Sequence, residues 1–189
     1  MNHQKLDLFE RLKQVHSMAG ASDKDLWLRL KQERDALYGT RDYEPARRLS
    51  LRKETKRKLV VVREDNDLNV KLFWDILEIG LQCVTVVFKH GDEALEVARS
   101  HAPDLIQSDI KGPCQSGLDF ARSVRLDDRT KHTPLICVSA WGGKEEVVLA
   151  AGFDAYMPKP IKVPKYLSLI DYWLSRAEMR LHELARKRL

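Results

Sequence analysis

The chain has no hydrophobic run long enough to cross a bilayer. Its longest apolar stretches, such as Leu59 to Val62, fall far short of the roughly 20 residues a spanning helix needs. Nor does it open on an apolar leader: Lys5, Asp7, Glu10, Arg11 and Lys13 interrupt the first residues, where a signal peptide would carry its apolar core. A cytoplasmic location is expected. Cysteine is scarce and odd in number, with Cys83, Cys114 and Cys137 far apart. No CxxC pair and no histidine at metal-site spacing accompanies them, which excludes a disulfide framework and a thiolate metal centre. Cys137, inside an apolar run, reads as a small core residue. Charge of one sign is also in short supply. The net charge is only +5, and the excess is local. Arg41, Arg47, Arg48, Arg52, Lys53, Lys56, Arg57 and Lys58 crowd one segment, and Arg176, Arg180, Arg186, Lys187 and Arg188 the C-terminus. Such clusters can serve nucleic acid or anionic surfaces. Here they read as a solvated linker and a solvated helix face.

What is present is a chain of 189 residues with 43% hydrophobic and 32% charged residues, the composition of an ordinary globular protein. It divides into zones. Over residues 1–40, Leu8, Leu12, Val15 and Ala19 recur at helical spacing up to Gly20. Ser22 then offers an N-cap to a second helix carrying Leu26, Leu30 and Leu37 and ending at Gly39. The expectation is a helical hairpin. Residues 41–57, with Pro45 and the basic run, read as a linker with room for a short helical extension.

From residue 58 to 174, strand and helix signals alternate. Leu59–Arg63, Cys83–Phe88, Asp104–Ser108, Leu135–Ser139 and Ala155–Met157 are short, apolar and rich in Val or Ile, as strands covered on both faces should be. Helices are expected near 67–79, 91–101, 117–126, 144–151 and from 164 onward. Five such repeats predict an α/β fold, a five-stranded doubly wound parallel sheet with right-handed crossovers. The last helix runs on, with Leu167, Ile170, Leu174, Ala177, Leu181 and Leu184 in steps of three and four. That is a heptad seam. Beyond Leu174, over 175–189, it needs a cover, either a second copy of the chain in a homodimer or the N-terminal hairpin.

In an open parallel sheet, ligands bind beyond the carboxyl ends of the strands. There the first strand ends in Glu64 and Asp65, the third in Asp109, the fourth in Ser139 and the fifth in Lys159. Carboxylates brought together repel, and a hard divalent cation such as Mg²⁺ resolves the conflict. Asp109 could then act as a carboxylate nucleophile toward phosphorus, with Lys159 and the Ser139 hydroxyl holding the phosphoryl oxygens.

These blocks resemble a known family. Val62 to Asn69 resembles the acidic turn of two-component response regulator receiver domains. Pro103 to Ile110 resembles their phosphoacceptor strand, and Gly112-Pro113 with Gly117 the loop after it. Val138-Ser139-Ala140 is similar to their hydroxyl switch block. Ala150 to Ala155 and Tyr156-Met157-Pro158-Lys159-Pro160 resemble their terminal blocks. All stand in family order and spacing, and the run from Asn66 to Leu77 most resembles single-domain, cell-cycle-type receivers. The resemblance implies that Asp109 is the phosphoacceptor. It implies Mg²⁺ ligands at Glu64, Asp65 and Asp109 and at the Lys111 backbone carbonyl. Ser139 and Tyr156 become a switch pair, and Lys159 a phosphate contact before a cis Pro160. It further implies a histidine kinase or His-phosphotransfer protein as donor, a downstream protein target, and a signalling rather than an enzymatic role. The output face of the family is the fourth helix, fifth strand and fifth helix of the repeats. The sequence departs from the family pattern at Arg63, where an apolar residue is usual, and at Lys111, Gly112 and Trp141. Arg63 would either leave the sheet or perturb the site with its charge.

Other readings are weaker. A DNA-binding regulator would need a reader element, and no helix-turn-helix follows the last repeat. An aspartyl-phosphate hydrolase would need an acid two residues past Asp109, where Lys111 stands. The segment Val15 to Gly20 around His16 is similar to a phosphotransfer histidine motif, but Ala19 stands where that motif usually has lysine, and residues 1–40 have room for about two helices rather than the four of such a bundle. A phosphorylation-independent docking module is the remaining alternative.

Overall fold

The computed structural model describes residues 45–143 and 145–186, with side chains as far as Ala177 apart from that of Arg47. The expected hairpin of residues 1–40, with His16, lies outside the described residues, as do the side chains of Leu181 and Leu184. The chain enters as α1 (Pro45–Thr55) and then alternates. The order is β1 (Leu59–Arg63), α2 (Asp67–Asp75, extended by one π turn over Ile76–Gly80), β2 (Val84–Phe88) and α3 (Gly91–His101). There follow β3 (Leu105–Ser108), α4 (Gly117–Leu126), β4 (Leu135–Ser139), α5 (Glu145–Ala150), β5 (Ala155–Pro158) and α6 (Val163–Arg186). Every strand pairing is parallel, in the order β2-β1-β3-β4-β5.

The period-two geometry of a strand sends alternate side chains to opposite faces, and β1 shows why its sequence is apolar throughout. Leu59 and Val61 enter a core layer shared with Phe88, Ala94, Phe120 and Val148. Val60 and Val62 enter the opposite layer with Phe73, Leu77, Tyr166 and Ile170. Helix starts follow their caps. Asn66 Oδ1 accepts from the amides of Leu68 and Asn69, and Ser116 Oγ from that of Asp119, each satisfying donors the first turn leaves open. The Asn66 cap sits directly after the acidic pair that follows β1, and the Ser116 cap closes the loop that follows Asp109, so both also fix where the chain turns.

The basic segment holds the short helical extension that its sequence left room for, and it is docked rather than solvated. Residues Pro45–Thr55 are a helix, with Pro45 at its first position, where a missing N–H costs nothing. Leu49 is buried in the first core layer, and α1 lies along β2, covering what would otherwise be an open sheet edge. Three arginines fasten it and the turn that follows. Arg48 is buried, donates to Glu78 and stacks 4.9 Å from the Trp74 ring centroid. Arg52 reaches the carbonyls of His101 and Ala102 and the Asp104 carboxylate. Arg57 binds the carbonyl of Cys83 at 2.7 Å and Glu78 at 3.3 Å. Their charge is spent on internal acids and a helix C-terminus, which leaves less of it for a nucleic acid.

The cysteines are reduced, with Cys83 and Cys137 buried and Cys114 exposed. Burial pushes both buried thiols up to about 12. A thiol reagent at neutral pH is therefore expected to modify one cysteine of the native protein quickly, Cys114, and the other two only after denaturation. Three fast thiols in a spectrophotometric titration would contradict the core placement of Cys83 and Cys137. None of the described helices is long and apolar enough to cross a membrane.

Candidate functional site

The parallel sheet delivers its chemistry to one rim. Glu64 follows β1, its amide bonded to the Phe88 carbonyl at 3.0 Å, and the Asp109 amide is bonded to the Arg63 carbonyl at 3.1 Å. These bonds continue the ladder one residue past each strand, so both carboxylates are held by backbone rather than by loop. The two converge on one ammonium: Lys159 Nζ lies 2.7 Å from Glu64 Oε2 and 2.6 Å from Asp109 Oδ2. Ser139 Oγ donates to Asp109 Oδ1 at 2.5 Å, and the Lys111 amide to the same oxygen at 3.1 Å. Lys159 reaches the rim because its own amide is bonded to the Ser139 carbonyl at 2.9 Å, just before the cis Lys159–Pro160 peptide bond.

Electrostatics follow from this crowding. Burial raises the pKa of Glu64, while hydrogen bonds from Lys159 and Asn69 oppose the rise. Burial works to lower that of Lys159, but its bonds to Asp109 and Glu64 outweigh this and hold it above the ordinary lysine value. Lys159 therefore stays an ammonium at neutral pH. Asp65 stands exposed at the same rim. Glu64, Asp65 and Asp109 bring only carboxylate oxygens to this rim. Among the described residues no three acidic, histidine or cysteine side chains close into a metal cage. An open oxygen set of this kind fits Mg²⁺, which keeps several waters and takes only one or two carboxylates.

Every residue expected at the site lies at this rim or beside it. Ser139 and Tyr156 are joined through one backbone unit: the Trp141 amide donates to Ser139 Oγ at 3.2 Å, and Tyr156 Oη donates to the Trp141 carbonyl at 2.7 Å. Tyr156 is half-buried, and burial raises its pKa. Arg63 does not leave the sheet; it is 1% exposed and lies beneath the acceptor loop. Sequence reasoning missed Asn69, whose Nδ2 donates to Glu64 Oε1 at 2.9 Å, and Gln115, whose carbonyl accepts from Arg63. Asn69 could have been found, since it sits one helical turn after the acidic pair. The role of Gln115 rests on its backbone, which carries no sequence signal.

A family model of the response regulator receiver domain matches residues 60–171. The chain therefore belongs to the response regulator receiver domain family, the accepting side of two-component phosphorelays. It is 42% identical over 123 residues to the polar-differentiation response regulator DivK of Brucella anthropi, a match that covers 64% of this chain and 98% of that protein. The DivK of Brucella ovis matches with the same identity and coverage. Solved structures agree on the fold. The receiver domain of a sensor histidine kinase from Pseudomonas aeruginosa superposes with a TM-score of 0.58 at 24% identity, over 63% of this chain and 98% of that one. That structure has a magnesium ion coordinated in its active-site cleft. The Vibrio cholerae chemotaxis protein CheY4 superposes with a TM-score of 0.57 at 22% identity, over 61% and 98%.

Proposed function

We propose that Asp109 is the phosphoacceptor of this receiver, served by a Mg²⁺ ion that Glu64, Asp65, Asp109 and the Lys111 backbone carbonyl would hold. The observation that carries this reading is the Asp109 carboxylate itself, nearly buried at a strand end, with Ser139 on one oxygen and Lys159 on the other. Bound Mg²⁺ would supply charge neutralisation for the incoming phosphoryl group. The rest is the work of the chain. A carboxylate oxygen of Asp109 forms the new bond to phosphorus as the donor's P–N bond breaks, and the departing imidazole takes up a proton. Lys159 and Ser139, already donors to Asp109, turn their hydrogen bonds to the phosphoryl oxygens. Ser139 shares the Trp141 backbone with Tyr156, so its movement toward the phosphoryl group pulls on the tyrosine's anchor. The Ser139–Tyr156 pair thereby biases two arrangements of the face built from α5, β5 and α6.

The donor in this reading is a histidine kinase or a His-phosphotransfer protein, and the output a downstream protein in the cytoplasm. The chain acts as a signalling element and not as an enzyme with turnover of its own. Residues 58–174 form the receiver. Residues 1–40, read as a helical hairpin, and the basic segment 41–57, which carries α1 on the β2 edge, precede it. The part of α6 beyond Leu174, as far as Arg186, is the segment through which a homodimer would form. The acceptor chemistry is tested by intact mass after incubation with Mg²⁺ and acetyl phosphate. One added phosphoryl group on the wild type, absent with EDTA and absent from Asp109→Asn, is the expected result. A folded wild type that stays unmodified would instead make the chain a phosphorylation-independent docking module.

A further inference from the structure

Arg63 ends a buried strand at 1% exposure. Burying a guanidinium is expensive unless its donors are used. Its Nη1 donates to the Asp109 carbonyl at 2.8 Å and to Ser108 Oγ at 3.2 Å, and its Nη2 to the Gln115 carbonyl at 2.5 Å. The guanidinium carbon lies 5.7 Å from the Phe120 ring centroid, while Nε finds no acceptor. Asp109 opens the acceptor loop, and Gln115 closes it just before the Ser116 cap of α4. One planar fork thus ties both ends of the loop that carries Lys111. Nothing in the acceptor chemistry itself requires a cation beneath the backbone there.

The neighbouring residues are shaped to this fork. A Cβ at Gly112 would stand 2.3 Å from Arg63 Nη2 and 2.9 Å from its guanidinium carbon, so a side chain there would evict the guanidinium. Ser108 supplies a hydroxyl that both accepts from Nη1 and donates to the Asp109 carbonyl at 2.8 Å. The loop is closed from above as well, by the Gly117 amide on the Ile110 carbonyl at 2.7 Å.

We propose that Arg63 is a positioning residue, a clamp beneath residues 109–115 that holds the Lys111 carbonyl in place for the divalent cation, with Gly112 as the space it needs. This rests on the assignment of Asp109 and its metal site above. Arg63 touches neither phosphoryl group nor metal; it acts through the two carbonyls. A lysine at this position keeps the charge but cannot span both carbonyls with a rigid fork. Charge and positioning can therefore be separated.

The test is calorimetric titration of Mg²⁺ into the full-length unphosphorylated protein, for wild type, Arg63→Lys, Gly112→Ala and the double variant, with thermal melts to confirm folding. Supporting side chains of metal sites typically contribute about tenfold or more in affinity. Arg63→Lys is expected to weaken Mg²⁺ binding by about that factor. Gly112→Ala, in which Arg63 keeps its charge but loses its seat, is expected to do the same. The double variant should match either single one rather than multiply them, because both remove one interaction. Wild-type affinity in a folded Arg63→Lys, or multiplicative losses in the double variant, would overturn the clamp. If Arg63→Lys does not fold, Gly112→Ala decides alone by the same criterion. A wild type that binds no Mg²⁺ would instead contradict the metal site itself, which separates failure of the clamp from failure of the assignment it rests on.

Discussion

Lys159→Ala is expected to slow phosphoryl uptake from acetyl phosphate by about a hundredfold or more, the usual effect of losing one preorganised donor to developing negative charge. The geometry gives the reason. Lys159 Nζ is within 2.7 Å of both Glu64 and Asp109, and it lies 5.6 Å from the Phe73 ring centroid, which limits where it can move. When the phosphoryl group arrives, the ammonium is already in place and needs no reorganisation. The same substitution has a second consequence that a general loss of structure would not produce. Glu64 and Asp109 would face each other without their shared cation. The thermal midpoint of Lys159→Ala should then rise more steeply with added Mg²⁺ than that of the wild type, in which the ammonium already balances the two carboxylates. Differential scanning fluorimetry across a Mg²⁺ series would show this. Parallel wild-type and variant curves would mean that Lys159 does not share the metal's electrostatic role.

Glu78→Ala is expected to cost about 3–5 kcal/mol of folding stability, the penalty for breaking a buried ion pair by removing one partner. Glu78 is 1% exposed on the π turn that extends α2. Its Oε1 accepts from the Thr85 amide at 2.8 Å and from Arg48, and its Oε2 from Arg57 at 3.3 Å. One carboxylate therefore ties together α2, the β2 backbone, α1 and the approach to β1. Its removal leaves Arg48 buried beside Trp74 with its charge uncompensated. Urea unfolding of wild type and variant measures the loss. A change below about 1 kcal/mol would place this network with ordinary surface pairs and would weaken the assignment of α1 as a docked part of the fold.

These two residues mark what the sequence does and does not disclose. Lys159 was legible because the parallel-sheet rule brings strand ends together: Glu64, Asp109 and Lys159 stand one step past β1, β3 and β5, and Ser139 closes β4. The strands were legible for a related reason. All but β5 are buried along nearly their whole length, so an unbroken run such as Leu59 to Val62 has no other stable use. Glu78 was not legible. A glutamate after an apolar stretch on an amphipathic helix reads as a solvated position, and its partner Arg48 lies thirty residues away in a segment whose basic run reads as a linker. Pairing between distant charges leaves no periodicity. Arg63 marks a third case. Its oddity in an apolar strand was visible, but its fate was decided by a glycine and two backbone carbonyls. Only the first of those is a sequence feature, and a glycine in a loop has many ordinary explanations.

The most direct test of the central claim locates the phosphoryl group chemically. An acyl phosphate on aspartate is reduced by borohydride to homoserine, which marks the position permanently. The wild-type protein would be phosphorylated with acetyl phosphate and Mg²⁺, reduced and digested, and its peptides sequenced by mass spectrometry. Homoserine is expected at position 109 and at no other aspartate, and none when Mg²⁺ is withheld. Homoserine at position 65, or an adduct that survives as a phosphoester elsewhere in the chain, would contradict it.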